Sequence, residues 1–70
     1  MVNPGQVWQN GKVAVKVQGS DSSLELVTFD MEPKTEVLKF RESKNFVQND
    51  ALDYLSDLGC RLTDKVLIIE

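Results

Sequence analysis

Apolar residues follow a two-residue period along most of this chain and a helical period over one short segment. There they fall at successive spacings of one, three, three and four and form a stripe of Ala51, Leu52, Leu55, Leu58 and Leu62. Asn49 and Asp50 are both favourable N-caps, and Gly59 suits the left-handed position that closes a helix. The pattern therefore predicts one amphipathic helix from Asn49 to Leu58.

The N-terminal part of the chain predicts a hairpin. Asn10-Gly11 lies between runs that suit strands and is typical of a type I′ turn, which would pair Gln6–Gln9 with Lys12–Gln18. In the second of these strands, valines alternate with polar or small residues. One face, Val13, Val15 and Val17, is predicted to be core, and the other, Lys12, Ala14, Lys16 and Gln18, to face solvent.

Two further strands are predicted before the helix. In Leu24–Met31, three apolar residues are in phase and two leucines are out of phase, so the strand is either buried on both faces or bulged near Leu26. We favour burial on both faces. Thr35–Arg41 is predicted to return as a fourth strand after a turn at Pro33. Its inward residues are then Leu38 and Phe40, and its outward residues are Val37, Lys39 and Arg41.

Two stretches leave alternatives open. Glu42–Gln48 fits a strand, a loop or the start of a longer helix from near Ser43, whose stripe would be Val47, Ala51, Tyr54, Leu55 and Leu58. A turn at Thr63-Asp64 would lead into a last strand, Lys65–Glu70. Its run Val66–Ile69 is apolar without alternation, as in a strand covered on both faces or paired with a second copy at the sheet edge.

These elements give the order ββββαβ in a single domain spanning residues 1–70. A four-stranded antiparallel meander with an amphipathic helix packed on it and a C-terminal strand belongs to the α+β class. A small, strongly bent SH3-like barrel with an inserted helix is the alternative to an open sheet.

Composition narrows the class of protein. Hydrophobic residues make up 41 % and charged residues 27 % of the chain, as in an ordinary soluble domain. No apolar run is long enough for a membrane span and no signal-peptide pattern is visible, so we expect a cytoplasmic protein. Cys60 is the only cysteine and histidine is absent. We therefore expect a buried structural thiol and neither an enzyme, a metal site nor a cofactor.

The charged residues indicate a binding protein. Asp50, Asp53 and Asp57 share one side of the helix and would suit a basic partner. The first hypothesis is a small accessory or regulatory protein that engages another protein through this face or an exposed sheet edge. The alternative is a nucleic-acid-binding module in which an aromatic residue lies beside a basic strip on the sheet. Its residues would be Trp8, Lys12, Lys16, Lys39 and Arg41.

Two short segments resemble known families. Pro4-Gly5-Gln6-Val7-Trp8 resembles the first strand of SH3-like barrels, including MazF-type toxins and small barrel proteins of phages and mobile elements. The likeness covers five of the 70 residues, and the catalytic residues of those toxins are absent downstream, so it implies no ribonuclease activity. Residues 55–62 are similar to the helix-to-strand joint of several small bacterial α+β domains, which is a packing solution and carries no activity.

Overall fold

The structure, a computed structural model, describes residues 2–20, 22–32, 34 and 37–64. Five strands and one helix follow one another in the order ββββαβ, which confirms the predicted α+β class. They are β1 (Val7–Gln9), β2 (Val13–Ser20), β3 (Ser23–Met31), β4 (Leu38–Phe46), α1 (Gln48–Leu58) and β5 (Arg61–Thr63).

All strands pair antiparallel in one sheet of order β4-β3-β2-β1-β5. β5 follows the helix after Gly59 and Cys60, so Thr63, which was predicted to begin a turn with Asp64, is a strand residue and pairs with Val7 instead. The predicted strand Lys65–Glu70 lies outside the described residues. Within the described part of the chain, β4 pairs only with β3 and β5 only with β1, which leaves an open sheet there.

The first hairpin has the predicted strands but a different turn. Gln9 pairs with Ala14, and Asn10 N–H donates to the Val13 carbonyl at 3.0 Å. Gly11 lacks the positive φ that a type I′ turn requires, so that prediction is wrong. The side chain of Asn10 closes the turn, because its Oδ1 accepts hydrogen bonds from the N–H groups of Lys12 at 2.7 Å and Val13 at 2.8 Å.

The core lies between α1 and one face of the sheet, here called the helix face. Its buried apolar cluster comprises Val2, Val15, Val17, Leu24, Leu26, Ala51 and Leu55. The opposite face, here called the outer face, also buries residues of β3, namely Val27 and Phe29. The prediction that this strand is buried on both faces is therefore confirmed. Ala14 on the outer face is buried as well, against the prediction, because this small residue lies between the larger Gln9 and Phe29.

The fourth strand is longer than predicted and has the opposite phase. It continues to Phe46, so residues 42–46 are strand and neither loop nor helix. An irregularity in the register opposite Thr28 and Phe29 leaves Arg41 as the extra residue of a bulge. Phe40 lies opposite Phe29 on the outer face and is 64 % exposed, so its predicted inward orientation is wrong.

The helix is bounded almost as predicted. It begins at Gln48 with Val47 as N-cap, so Asn49 and Asp50 are first-turn residues and their assignment as caps is wrong. It ends at Gly59, whose φ of 69° is left-handed and whose N–H donates to the Ser56 carbonyl, as predicted for a closing glycine.

Only part of the predicted stripe faces the core. Ala51 and Leu55 are buried and Leu58 is half-buried. Leu52 lies at the exposed margin and Leu62 lies on β5 with half of its surface exposed, so both were wrongly assigned to the stripe. Tyr54 occupies the remaining core-facing position, as the alternative stripe of the longer helix had it.

Candidate functional site

The acidic helix face consists of Asp50, Asp53 and Asp57. All three are exposed, and among the described residues none of them forms an ion pair. The side chains lie three and four positions apart and project outward along a single helix, so they do not converge on one point. In the described part of the chain, no group of three or more His, Cys, Asp or Glu residues is arranged to hold a metal ion. The face is therefore a row of separate negative charges.

A polar network fixes this helix to the sheet. Tyr54 Oη donates to Glu42 Oε1 at 3.2 Å and lies 3.1 Å from Thr28 Oγ1, which is fully buried. Because the tyrosine proton is directed at the carboxylate, Thr28 donates to Tyr54. Phe46 packs on Tyr54 with a ring-centroid distance of 4.9 Å. The helix orientation, and with it the outward direction of the aspartates, is therefore set by contacts to both β3 and β4.

The residues of the predicted basic strip do not share one surface. Lys16 pairs with Val27 on the outer face. Lys39 pairs with Asp30, which alternates with Thr28 along β3 and so lies on the helix face, beyond the part that α1 covers. The register thus places Lys16 and Lys39 on opposite sides of the sheet.

The other members of that set are also dispersed. Trp8 pairs with Val15 on the helix face, is half-buried against the core, and donates from Nε1 to Gln6 Oε1 at 3.2 Å. Lys12 lies in the first turn. Arg41 lies in the bulge of β4, where its Nε is 3.2 Å from Asp30 Oδ1. Trp8 and Lys16, although both central in the sheet, face opposite sides.

The outer edge of β4 is a surface that the sequence prediction missed, because it ended the fourth strand at Arg41 and left Glu42–Gln48 open as strand, loop or helix. The strand has nine residues and is largely exposed. It carries four charged side chains, Lys39, Arg41, Glu42 and Lys44. Lys44 Nζ lies 3.7 Å from Glu42 Oε2, and both side chains keep about half of their surface exposed. The signal in the sequence was the alternation of Glu42, Lys44 and Phe46 with the small polar residues between them.

A surface depression and the thiol of Cys60 are the remaining candidates for a chemical site among the described residues. The described residues that line an open depression at the end of the β3–β4 hairpin are Asp30, Met31, Glu32, Val37 and Lys39. They combine aliphatic side chains with charges of both signs and include no serine, threonine, cysteine or histidine. Cys60 is half-buried beside the core, and this burial raises the pKa of its thiol, so little thiolate forms at neutral pH.

The predicted apolar run Val66–Ile69 lies outside the described residues. The only described helix, α1, is too short and too polar to cross a membrane. No protein-family model, curated protein or solved structure matches this chain.

Proposed function

We propose that this chain is a small accessory or regulatory protein that has no enzymatic activity and acts by binding another protein. The observation that supports this most is the acidic helix face: three exposed carboxylates on a helix whose orientation is fixed by the Thr28–Tyr54–Glu42 network. Charges on a rigid element meet a complementary surface with little cost of ordering the backbone. A partner with a basic surface is the counterpart that this face fits.

The proposal includes a cytoplasmic setting. The chain has a single cysteine and therefore no internal disulfide, which agrees with a reducing compartment. The protein would then meet its partner through a mainly electrostatic contact, whose strength falls as ionic strength rises.

A matched pair of variants tests the acidic face. Asp53→Asn with Asp57→Asn removes two helix charges and leaves Asp50 to interact with the helix dipole. The control, Glu32→Gln with Asp64→Asn, removes the same charge from exposed sites off the helix. The unsubstituted protein and the two variants are each used as bait in a lysate of the native host. The captured partner is then purified and titrated against all three proteins.

The expected result is an affinity about tenfold lower for the helix variant, from two lost charge contacts, and no change for the control. Equal affinities of the two variants for the captured partner would exclude the helix face as the binding surface.

The alternative is nucleic-acid binding by Trp8, Lys12, Lys16, Lys39 and Arg41. It has less support, because the sheet register divides these residues between two faces. A short single-stranded oligonucleotide titrated at low salt would quench Trp8 fluorescence if this role is correct, and the affinity would decrease steeply with added salt.

A further inference from the structure

We infer that the outer edge of β4 is a docking strand that accepts an extended, acidic segment of a partner protein by β-strand addition. The inference rests on the proposed function in one respect, since both take protein binding to be the activity. It concerns a different surface and the opposite partner charge, so each can fail without the other.

The first step is the free backbone of β4. This strand lies at the end of the sheet and, among the described residues, pairs only with β3. One row of its N–H and C=O groups therefore has no strand of the described residues beside it, and such a row is the template that an added strand uses. Nine residues span about 30 Å at roughly 3.3 Å per residue. The bulge at Arg41 divides this edge and leaves Glu42–Phe46 as its longest regular stretch.

The second step is the charge of the strand. β4 carries three basic residues and one acidic residue, in a chain whose net charge is −3. The Arg41–Asp30 and Lys44–Glu42 pairs leave about half of each side chain exposed, so they are weak and can be exchanged for contacts with a partner. An extended segment with carboxylates near Lys39, Arg41 and Lys44 would complement this edge.

The third step is an apolar anchor beside that edge. Phe40 is 64 % exposed on the outer face, and its ring meets the buried Phe29 edge to face at a centroid distance of 6.2 Å. An apolar side chain of the added strand that covers Phe40 would remove this surface from water and extend an existing aromatic pair.

The same features disfavour two other occupants. A second copy would bring two positively charged strands together, and like charges on paired strands disfavour self-association. A nucleic acid has no peptide backbone to pair with this edge, and on β4 it would meet only one exposed ring, that of Phe40. An acidic peptide uses the backbone, the basic residues and Phe40 together.

The test is an NMR titration of the isotope-labelled protein with two short synthetic peptides whose ends are blocked. One alternates valine with glutamate, and the other alternates valine with lysine. The acidic peptide is expected to shift the amide resonances of Glu42–Phe46 and to slow their hydrogen exchange. The basic peptide is expected to leave them unchanged.

Charge variants give the second readout. Lys39→Glu with Lys44→Glu should weaken binding of the acidic peptide about fivefold or more, whereas the control Lys12→Glu with Arg61→Glu, at exposed sites outside β4, should change it less than about twofold. Phe40→Ser should also weaken it. All sites are exposed, and unchanged resonances elsewhere in the spectrum confirm that each variant is folded.

Five outcomes would overturn the inference: no binding of the acidic peptide to β4, equal binding of the basic peptide, equal loss in the control variant, concentration-dependent dimerisation that protects β4, or displacement of the peptide by a single-stranded oligonucleotide. If β4 binds the peptide while the helix variant captures partners normally, only the acidic-face proposal fails. If the helix variant loses its partner and no peptide binds β4, only this inference fails.

Discussion

The side chain of Gln48, the first residue of α1, forms two hydrogen bonds with the backbone of Val2. Its Oε1 accepts from Val2 N–H at 2.7 Å, and its Nε2 donates to the Val2 carbonyl at 2.7 Å. The carboxamide thus takes the place of a neighbouring strand, and it holds the N-terminal segment where Val2 is fully buried in the core. A contact across 46 positions of sequence joins the start of the chain to the start of the helix.

Gln48→Ala is therefore expected to destabilise the protein by about 1–3 kcal/mol, because the backbone N–H and C=O of the buried Val2 both lose their hydrogen-bond partner. Asn49→Ala is the control: the neighbouring helix position is exposed, and its change should stay within about 0.5 kcal/mol. Urea unfolding followed by Trp8 fluorescence measures both. Similar effects of the two substitutions would show that the Val2 contact contributes nothing specific.

The helix offers a second matched pair, Leu55 and Leu52. Leu55 is 1 % exposed and Leu52 is 37 % exposed, although both fit the helical period in the sequence. Leu55→Ala should cost about 2–5 kcal/mol, as other core truncations do, and Leu52→Ala less than about 1 kcal/mol. Thermal and urea unfolding of the two variants give the difference. Equal costs would mean that the helix is rotated about its axis relative to its orientation in the structure.

The sequence predicted those features of the fold that depend on local pattern. The helix end at Gly59 followed from backbone chemistry, and the alternation in β2 followed from the strand period. The phase of β4 did not follow, because it depends on a bulge at Arg41 whose position is set by pairing with β3. The first turn was missed for a similar reason, since the Asn10 side chain closes it without help from a left-handed Gly11.

Of the two candidate surfaces, one depends on local pattern and the other on how the strands pair. The acidic face could be predicted, because residues three and four apart on one helix must share a side. The basic strip could not, because it assumed a relation between β2 and β4, two strands that are not neighbours. The intervening β3 fixes that relation, and it places Lys16 and Lys39 on opposite faces.

The buried hydroxyl of Thr28 provides a test of the network beneath the helix. Tyr54→Phe removes its partner and should cost about 1–2 kcal/mol, since the hydroxyl is then buried without a hydrogen bond. Adding Thr28→Val removes the unsatisfied group, so the double variant should be less destabilised than the two single costs added together. A double-mutant cycle in urea measures this coupling, and strictly additive costs would contradict a Thr28–Tyr54 interaction.

The β2–β3 hairpin depends on the conformation of Gly19. Its φ is +93°, and a Cβ at this position would lie 2.5 Å from the backbone carbonyl oxygen of Ser23. Gly19→Ala should therefore destabilise the protein by at least about 2 kcal/mol, through both backbone strain and a contact with main chain that cannot move aside.

Gly11 is the control for that substitution, because it has no positive φ and a Cβ there would meet no atom within 4 Å. Gly11→Ala should leave stability unchanged or raise it by about 0.4–1 kcal/mol, since alanine restricts the unfolded chain more than glycine does. Urea unfolding of both variants measures their free energies of unfolding and so compares the two substitutions. A tolerated Gly19→Ala together with a damaging Gly11→Ala would mean that the left-handed position lies in the first hairpin, and that the turn geometry described for both hairpins is wrong.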